Sequence, residues 1–145
     1  MAEKDSMSRK WQITINNPKE KGMTHEYIAQ KVGEMKNVMY WCMSDEIGEN
    51  GTYHTHIYMH GRNGIRFSTI KKRFDGGHFE MAKGTSSQNR DYVKKEGRWL
   101  NDKKHETCVD GTFEEFGECP IERQGARNDL SDLYAMIKDG MSNYD

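Results

Sequence analysis

The stretch Val38-Met39-Tyr40-Trp41-Cys42-Met43-Ser44-Asp45-Glu46-Ile47, followed by Gly48-Glu49-Asn50-Gly51 and then Thr52-Tyr53-His54-Thr55-His56-Ile57-Tyr58-Met59-His60, decides the fold. Both arms are rich in large apolar and β-favouring residues, and Asn-Gly between them is the strongest short-range hairpin signal. The spacing predicts two antiparallel strands, 38–47 and 52–60. Side chains alternate along a strand. Thr55, Ile57 and Met59 therefore face one way, and His54, His56, Tyr58 and His60 the other. Pairing around residues 49–51 brings Glu46 close to His54.

Outward from this hairpin, Trp11, Ile13 and Ile15 alternate with polar residues and predict a first strand, ended by Asn17-Pro18. Thr24 suits the cap of a helix whose stripe is Tyr27, Ile28, Val32 and Met35. Phe67, Ile70 and Phe74 mark a short amphipathic helix, Gly76-Gly77 breaks it, and 78–81 reads as a fourth strand. Thr85 with Gln88 three residues on has the form of a capping box, opening a helix that runs to about Lys95, with Gly97 at its end. A last strand is expected within 98–109. The chain beyond Phe116 reads as linker, and Leu130, Leu133, Tyr134 and Ile137 recur at helical spacing. The order β-α-β-β-α-β-α predicts an α+β domain: a central antiparallel sheet of about five strands, flanked by helices, of ferredoxin or RRM type. Periodicity leaves the strand order open.

With 145 residues there is room for one domain, expected over 9–117, with a flexible 1–8 ahead of it and a linker and helix start over 118–145. The net charge of −1 lacks the basic excess of many duplex binders, though a local basic groove remains open to the chain. Cys42, Cys108 and Cys119 are widely spaced with no C-x-x-C pair, which argues against a cysteine zinc site. Their odd number, without a signal peptide, points to a reducing, intracellular compartment. No apolar run approaches the length of a membrane span.

His54 and His56 project together and can share one divalent ion. They need a carboxylate. Glu46, across the hairpin, is the first candidate, and Asp45, on the opposite face, the second; His60 shares the histidine face but lies further along. Mixed nitrogen and oxygen ligation without thiolates fits Mg²⁺ or Mn²⁺, while imidazole alone would also suit Zn²⁺. Tyr92 and Lys95 lie three apart, on one helical face with Gln88. A phenol, with a pKa of about 10, is a weak attacker at neutral pH. A cation that polarises a phosphodiester and an ammonium at Lys95 would support its attack. The ester formed would be a phosphotyrosine, reversible by a free 3′-hydroxyl without ATP.

Single strands are held by basic grooves and stacking aromatics. Arg62, Arg66, Lys71, Lys72 and Arg73 cluster in sequence, and Asn16 and Asn17 end the first strand. These, with Gln88, are the candidate DNA contacts. Two other readings remain: a non-catalytic nucleic-acid-binding module with stacking aromatics, and a metal-dependent hydrolase in which water attacks and Tyr92 is structural.

Together these residues resemble the replication-initiator (Rep) proteins of small circular single-stranded DNA viruses, close to the circovirus type, which are HUH endonucleases. Three motifs appear in order: Trp11-Gln12-Ile13-Thr14-Ile15-Asn16-Asn17-Pro18, His54-Thr55-His56, and Tyr92 to Lys95. Thr55 departs from the usual bulky apolar middle residue. Lys83-Gly84-Thr85, Gln88-Asn89 and Glu96-Gly97 also follow the circovirus spacing, and the resemblance covers about residues 9–125. It implies a metal held by Glu46, His54 and His56, with Tyr92 as nucleophile at a stem-loop origin. A 5′-phosphotyrosine link and a free 3′ end for rolling-circle synthesis would follow. It also implies a helicase domain beyond 118–145, self-association of the full-length protein, and work in a host cell nucleus. No G-x-x-x-x-G-K-[ST] loop occurs in this chain, so ATP is not expected to bind here.

Overall fold

The computed structural model describes residues 5–48, 50–96 and 107–122. The elements follow in the order β1 (Met7–Asn16), α1 (His25–Gly33), β2 (Val38–Ile47), β3 (Tyr53–Arg66), α2 (Phe67–Arg73), β4 (His78–Met81), α3 (Ser86–Lys94) and β5 (Glu114–Phe116). They form one five-stranded sheet in the order β4-β1-β3-β2-β5, antiparallel at every junction. The α+β class is as the sequence predicts. The strand order, which periodicity left open, puts the two histidine-bearing and motif-bearing strands, β3 and β1, side by side at the centre.

Alternation divides the sheet into two faces. Trp11, Ile13 and Ile15 of β1, Trp41 and Met43 of β2 and Ile57 and Met59 of β3 point to one face. There they bury Ile28 and Val32 of α1 and Ile70 and Phe74 of α2. Truncating Ile57 at the centre of this core to alanine would cost about 2–5 kcal/mol, because the rigid sheet cannot close the void. The other face carries a smaller apolar cluster, Tyr40, Cys42 and Tyr58 with Val93 of α3. Thus α1 and α2 cover one face, and α3 lies on the histidine face.

Local signals explain the helix starts. The Thr24 hydroxyl accepts from the N–H of Tyr27 at 3.2 Å and caps α1. At α3 the capping box is complete: Thr85 Oγ1 accepts from the Gln88 N–H at 3.1 Å and Gln88 Oε1 accepts from the Thr85 N–H at 2.9 Å. Gly84 precedes it with φ +84°, and a Cβ there would meet Gln88 Oε1 at 2.5 Å, so glycine is required by both conformation and space.

Three expectations are corrected. Within the expected flexible 1–8, β1 starts at Met7, and the Asp5 carboxylate accepts from the Ser68 N–H and hydroxyl; residues 1–4 lie outside the described residues. β3 continues past His60 to Arg66 after an irregularity in its pairing with β1. The end of α3 is turned by Lys95, in the left-handed region at φ 61°, rather than by Gly97, which lies outside the described residues. Among the described residues the last strand is Glu114–Phe116, where Phe116 stacks on Trp41 at 4.2 Å, and the strand expected within 98–109 falls mostly outside them. Within the expected 98–109 segment, Cys108 makes an isolated bridge to Glu46, and residues 98–106 lie outside the described residues, as does the expected helix around 130–137.

Residues 117–122, read as linker, stay on the domain. Glu122 accepts from Lys10 Nζ at 2.8 Å and from the Ser86 N–H at 3.1 Å, at the start of α3.

Candidate active site

Three rungs of the sheet set out the site. Asn16 pairs with His54, which pairs with Glu46; His78 with Thr14, His56 and Ser44; Glu80 with Gln12, Tyr58 and Cys42. All of these side chains share the face under α3. The expected approach of Glu46 to His54 is therefore realised by direct pairing across the hairpin.

Five side-chain bonds, made at four residues, pin α3 and its C-terminal cap to the sheet. The Ser86 hydroxyl meets Tyr58 Oη at 2.6 Å and His60 Nδ1 at 2.6 Å. Asn89 Oδ1 accepts from Gln12 Nε2 at 2.6 Å. The Val93 carbonyl accepts from Ser44 Oγ at 2.6 Å. Lys95 Nζ donates to Glu46 Oε2. A helix held at four points along nine residues has little freedom to slide. The result is that the Tyr92 ring stands edge-on to the His56 ring, centroids 5.1 Å apart.

Lys95 is fully buried. Its ammonium lies 4.0 Å from the centroid of the Tyr92 ring and also donates to the Tyr92 carbonyl at 2.6 Å. The left-handed turn at Lys95 is what folds the side chain back over the tyrosine. A non-glycine residue there costs on the order of 1 kcal/mol of backbone strain, retained where position matters. Sequence reasoning put Lys95 on one helical face with Tyr92. The structure brings the two together by that turn.

Glu46 Oε1 is 3.3 Å from His54 Nε2, and Oε2 is 3.6 Å from His56 Nδ1. Burial pushes the Glu46 carboxyl up, but the hydrogen bonds from His54 and His56 and the Lys95 ammonium outweigh it and hold the group far below the usual carboxylate range. Burial pushes the His56 imidazole down, against the pull of Glu46, so its ring is neutral at physiological pH. An ionised carboxylate and a neutral imidazole are the states that ligate a cation.

Among the described residues no three histidine, cysteine, aspartate or glutamate side chains form a ready-made cation site. The reason is visible at Glu46: the oxygen that faces His56 is the one held by Lys95. A carboxylate and two imidazoles are donor types that divalent ions take, but in this arrangement the Lys95 ammonium occupies Oε2. Asp45, the second choice, points to the opposite face, where it accepts from Thr55 Oγ1 at 2.8 Å and bonds His25 Nε2 at 2.8 Å. His60 is engaged by Ser86 and Glu122 and stays out of the site.

The candidate DNA contacts separate. Asn16 is exposed beside His54, and Asn17, at φ 50°, donates its N–H to the Tyr53 carbonyl at the same end of the sheet. Gln88 is in the first turn of α3, with its side-chain oxygen committed to the cap. The basic cluster lies elsewhere. Arg66 pairs with Met7, seven residues along β1 from Thr14, the partner of His56, or about 23 Å at strand spacing. Arg62 reaches the Lys36 carbonyl, and Lys71, Lys72 and Arg73 ride on α2, which covers the opposite face.

Residues not predicted for the site complete it. His56 and Tyr92 line a cleft of about 330 Å³ together with Gln12, Thr14, His78, Glu80 and Asn89. The sequence signal for Gln12 and Thr14 was their polar alternation in β1, on the same face as the histidines once β1 is placed beside β3.

A sheet that presents two imidazoles and a carboxylate under a helix-borne tyrosine and lysine defines a Rep-type domain. The family model described as "Putative viral replication protein" matches residues 8–96, more than half of the chain, and the chain belongs to that family of circular single-stranded DNA virus proteins. It is 28% identical to the replication-associated protein of Pigeon circovirus, over 94% of this chain and 37% of that protein. It is 36% identical to the replication-associated protein of Beak and feather disease virus, over 61% of this chain and 29% of that protein. It is 40% identical to Para-Rep C2 of Subterranean clover stunt C2 alphasatellite, over 39% of this chain and 21% of that protein. The chain spans about a third of the length of the circovirus relatives it matches. Among the described residues no helix is long and apolar enough to cross a membrane.

Proposed function

We propose that this domain initiates rolling-circle replication by nicking and rejoining single-stranded origin DNA. The observation that carries the reading is the edge-on approach of Tyr92 to His56 at 5.1 Å, with Lys95 over the tyrosine ring. It supports the reading because the Tyr92 ring, the Lys95 ammonium and the Glu46, His54 and His56 side chains adjoin one another.

Tyr92 Oη attacks the scissile phosphorus. The Oη–P bond forms, the P–O3′ bond breaks, and the phenolic proton leaves to the released 3′-oxygen or to solvent. The products are a 5′-phosphotyrosine and a free 3′-hydroxyl. One phosphodiester replaces another, so the step runs backwards when a 3′-hydroxyl returns. Lys95 stabilises negative charge gathering on the phosphate oxygens. The bonds along α3 hold the phenol in line, lowering the entropic cost of attack. A divalent cation, Mn²⁺ or Mg²⁺, bound by Glu46, His54 and His56 would supply polarisation of the phosphate.

The substrate is a single strand exposed in a stem-loop origin, approached over the Asn16 and Asn17 end of the sheet. In the whole initiator, we expect further domains to supply helicase activity and self-association, and a host cell nucleus as the place of action.

Incubating the domain with end-labelled single-stranded origin DNA and Mn²⁺, then running a denaturing protein gel, tests the reading. A labelled protein band is expected. Shortened DNA without labelled protein would mean attack by water. Bound but uncut DNA would mean a binding module.

A further inference from the structure

The cleft beside Tyr92 contains an acceptor with nothing to accept. Gln12 Oε1 is shielded from water and has no hydrogen-bond partner. The orientation of its amide is fixed by a chain of bonds. Asn89 Nδ2 donates to the carbonyls of Lys83 and Thr85 at 2.9 and 2.8 Å, so the Asn89 oxygen must face Gln12. Only Gln12 Nε2 can satisfy that oxygen, at 2.6 Å, which turns Oε1 the other way. Flipping either amide would set like dipoles against each other. Leaving a buried carbonyl unpaired is unfavourable, so one that is retained calls for a partner.

The neighbours define that donor. Across β1 and β4, Glu80 stands directly opposite Gln12, its side chain 69% exposed and bonded to His78 at 3.2 Å. Glu80 adds carboxylate oxygens and Thr14 a hydroxyl to the same cleft. The unpaired Gln12 oxygen, with the Glu80 carboxylate in the same cleft, suits an amino group rather than a carbonyl. Among groups carried by a DNA strand, exocyclic amino groups belong to adenine, cytosine and guanine; thymine has none.

We propose that the cleft is a nucleobase subsite in which Gln12 Oε1 accepts a hydrogen bond from the exocyclic amino group of a base flanking the cut, so that Gln12 is a specificity-determining residue. The proposal rests on the single-strand reading above and adds a rule to it: at one position a base with an amino group is favoured over thymine, whose single donor is the ring N3–H.

The test uses Tyr92→Phe throughout, so that binding is read without covalent capture. A library of random single-stranded oligonucleotides is selected on Tyr92→Phe and on Tyr92→Phe with Gln12→Lys, then sequenced. The lysine keeps a donor for Asn89 Oδ1 while replacing the acceptor. With Gln12 present, one position should be depleted of thymine; with Gln12→Lys, that depletion should vanish or turn toward bases with carbonyls. A second arm needs no further variant: replacing adenine at that position by purine lacking the amino group should weaken binding to Tyr92→Phe about 3- to 10-fold, the worth of one hydrogen bond. Enriched strands with thymine tolerated at every position, or equal affinity for adenine and unsubstituted purine at the selected position, would overturn this inference while leaving single-strand binding intact. Recovery of no strand above background would overturn the binding reading and this inference with it.

Discussion

Lys95 at the end of α3 and Glu46 near the hairpin end of β2 form a buried ion pair that joins the tyrosine helix to the paired imidazoles. The pair gives Lys95 two tasks in the account above. It charges the space over Tyr92, and it holds one oxygen of the carboxylate that a cation would need. These tasks pull in opposite directions and can be separated by substitution.

Lys95→Met removes the ammonium and keeps the bulk. Adduct formation is expected to fall about 10²-fold, the usual worth of one charge-stabilising donor. The fold should lose about 3 kcal/mol, since one partner of a buried pair is left alone. Titration calorimetry should show Mn²⁺ binding several-fold more tightly, and saturating Mn²⁺ should recover part of the lost stability. Weaker Mn²⁺ binding would show that Lys95 does not compete for Glu46.

Ser44→Ala cuts the bond from β2 to the Val93 carbonyl, one residue from the nucleophile. Unfolding in urea should show a loss of about 1 kcal/mol. The adduct rate should fall by more than DNA affinity does, because the helix position is loosened while the DNA contacts remain. Equal losses in both would mean that this bond serves general stability alone.

His25 gives a pH signature on the face away from the site. Its bond to Asp45 raises its pKa to about 9, against the effect of burial and with help from Glu114. A raised value means that the folded state binds the proton more tightly than the unfolded chain. The stabilisation is then complete below about pH 6.5 and is lost as pH rises through 9. Partial exposure and screening reduce it to about 1–2 kcal/mol. Thermal melts of the native chain at pH 6 and 9.5, each compared with His25→Gln, should show a gap at the lower pH that closes at the higher one. A constant gap would remove the proton from the interaction.

Much of this was legible before any coordinates. The hairpin was readable because alternation and an Asn-Gly turn fix both the pairing and the face, so the approach of Glu46 to His54 followed from counting. The capping box at Thr85 and Gln88 was equally local. What escaped depended on contacts far apart in sequence. The Gln12–Asn89 bond spans 77 residues, and nothing in either segment announces it. β5 is three residues long, too short for a period to emerge. The basic run from Arg62 to Arg73 is contiguous in sequence, yet the chain turns from β3 into a helix on the other face and carries it away from Tyr92. The left-handed turn at Lys95 defeats helical counting, since a residue with positive φ no longer points where the period puts it.

Tyr92→Phe is the most direct measurement of the central claim. With labelled single-stranded origin DNA and Mn²⁺, the native domain should give a labelled protein band on a denaturing gel. The phenylalanine variant should give none, while binding the same DNA with affinity within a few-fold of native. A labelled band that persists in Tyr92→Phe would contradict the account, because another side chain would then carry the DNA.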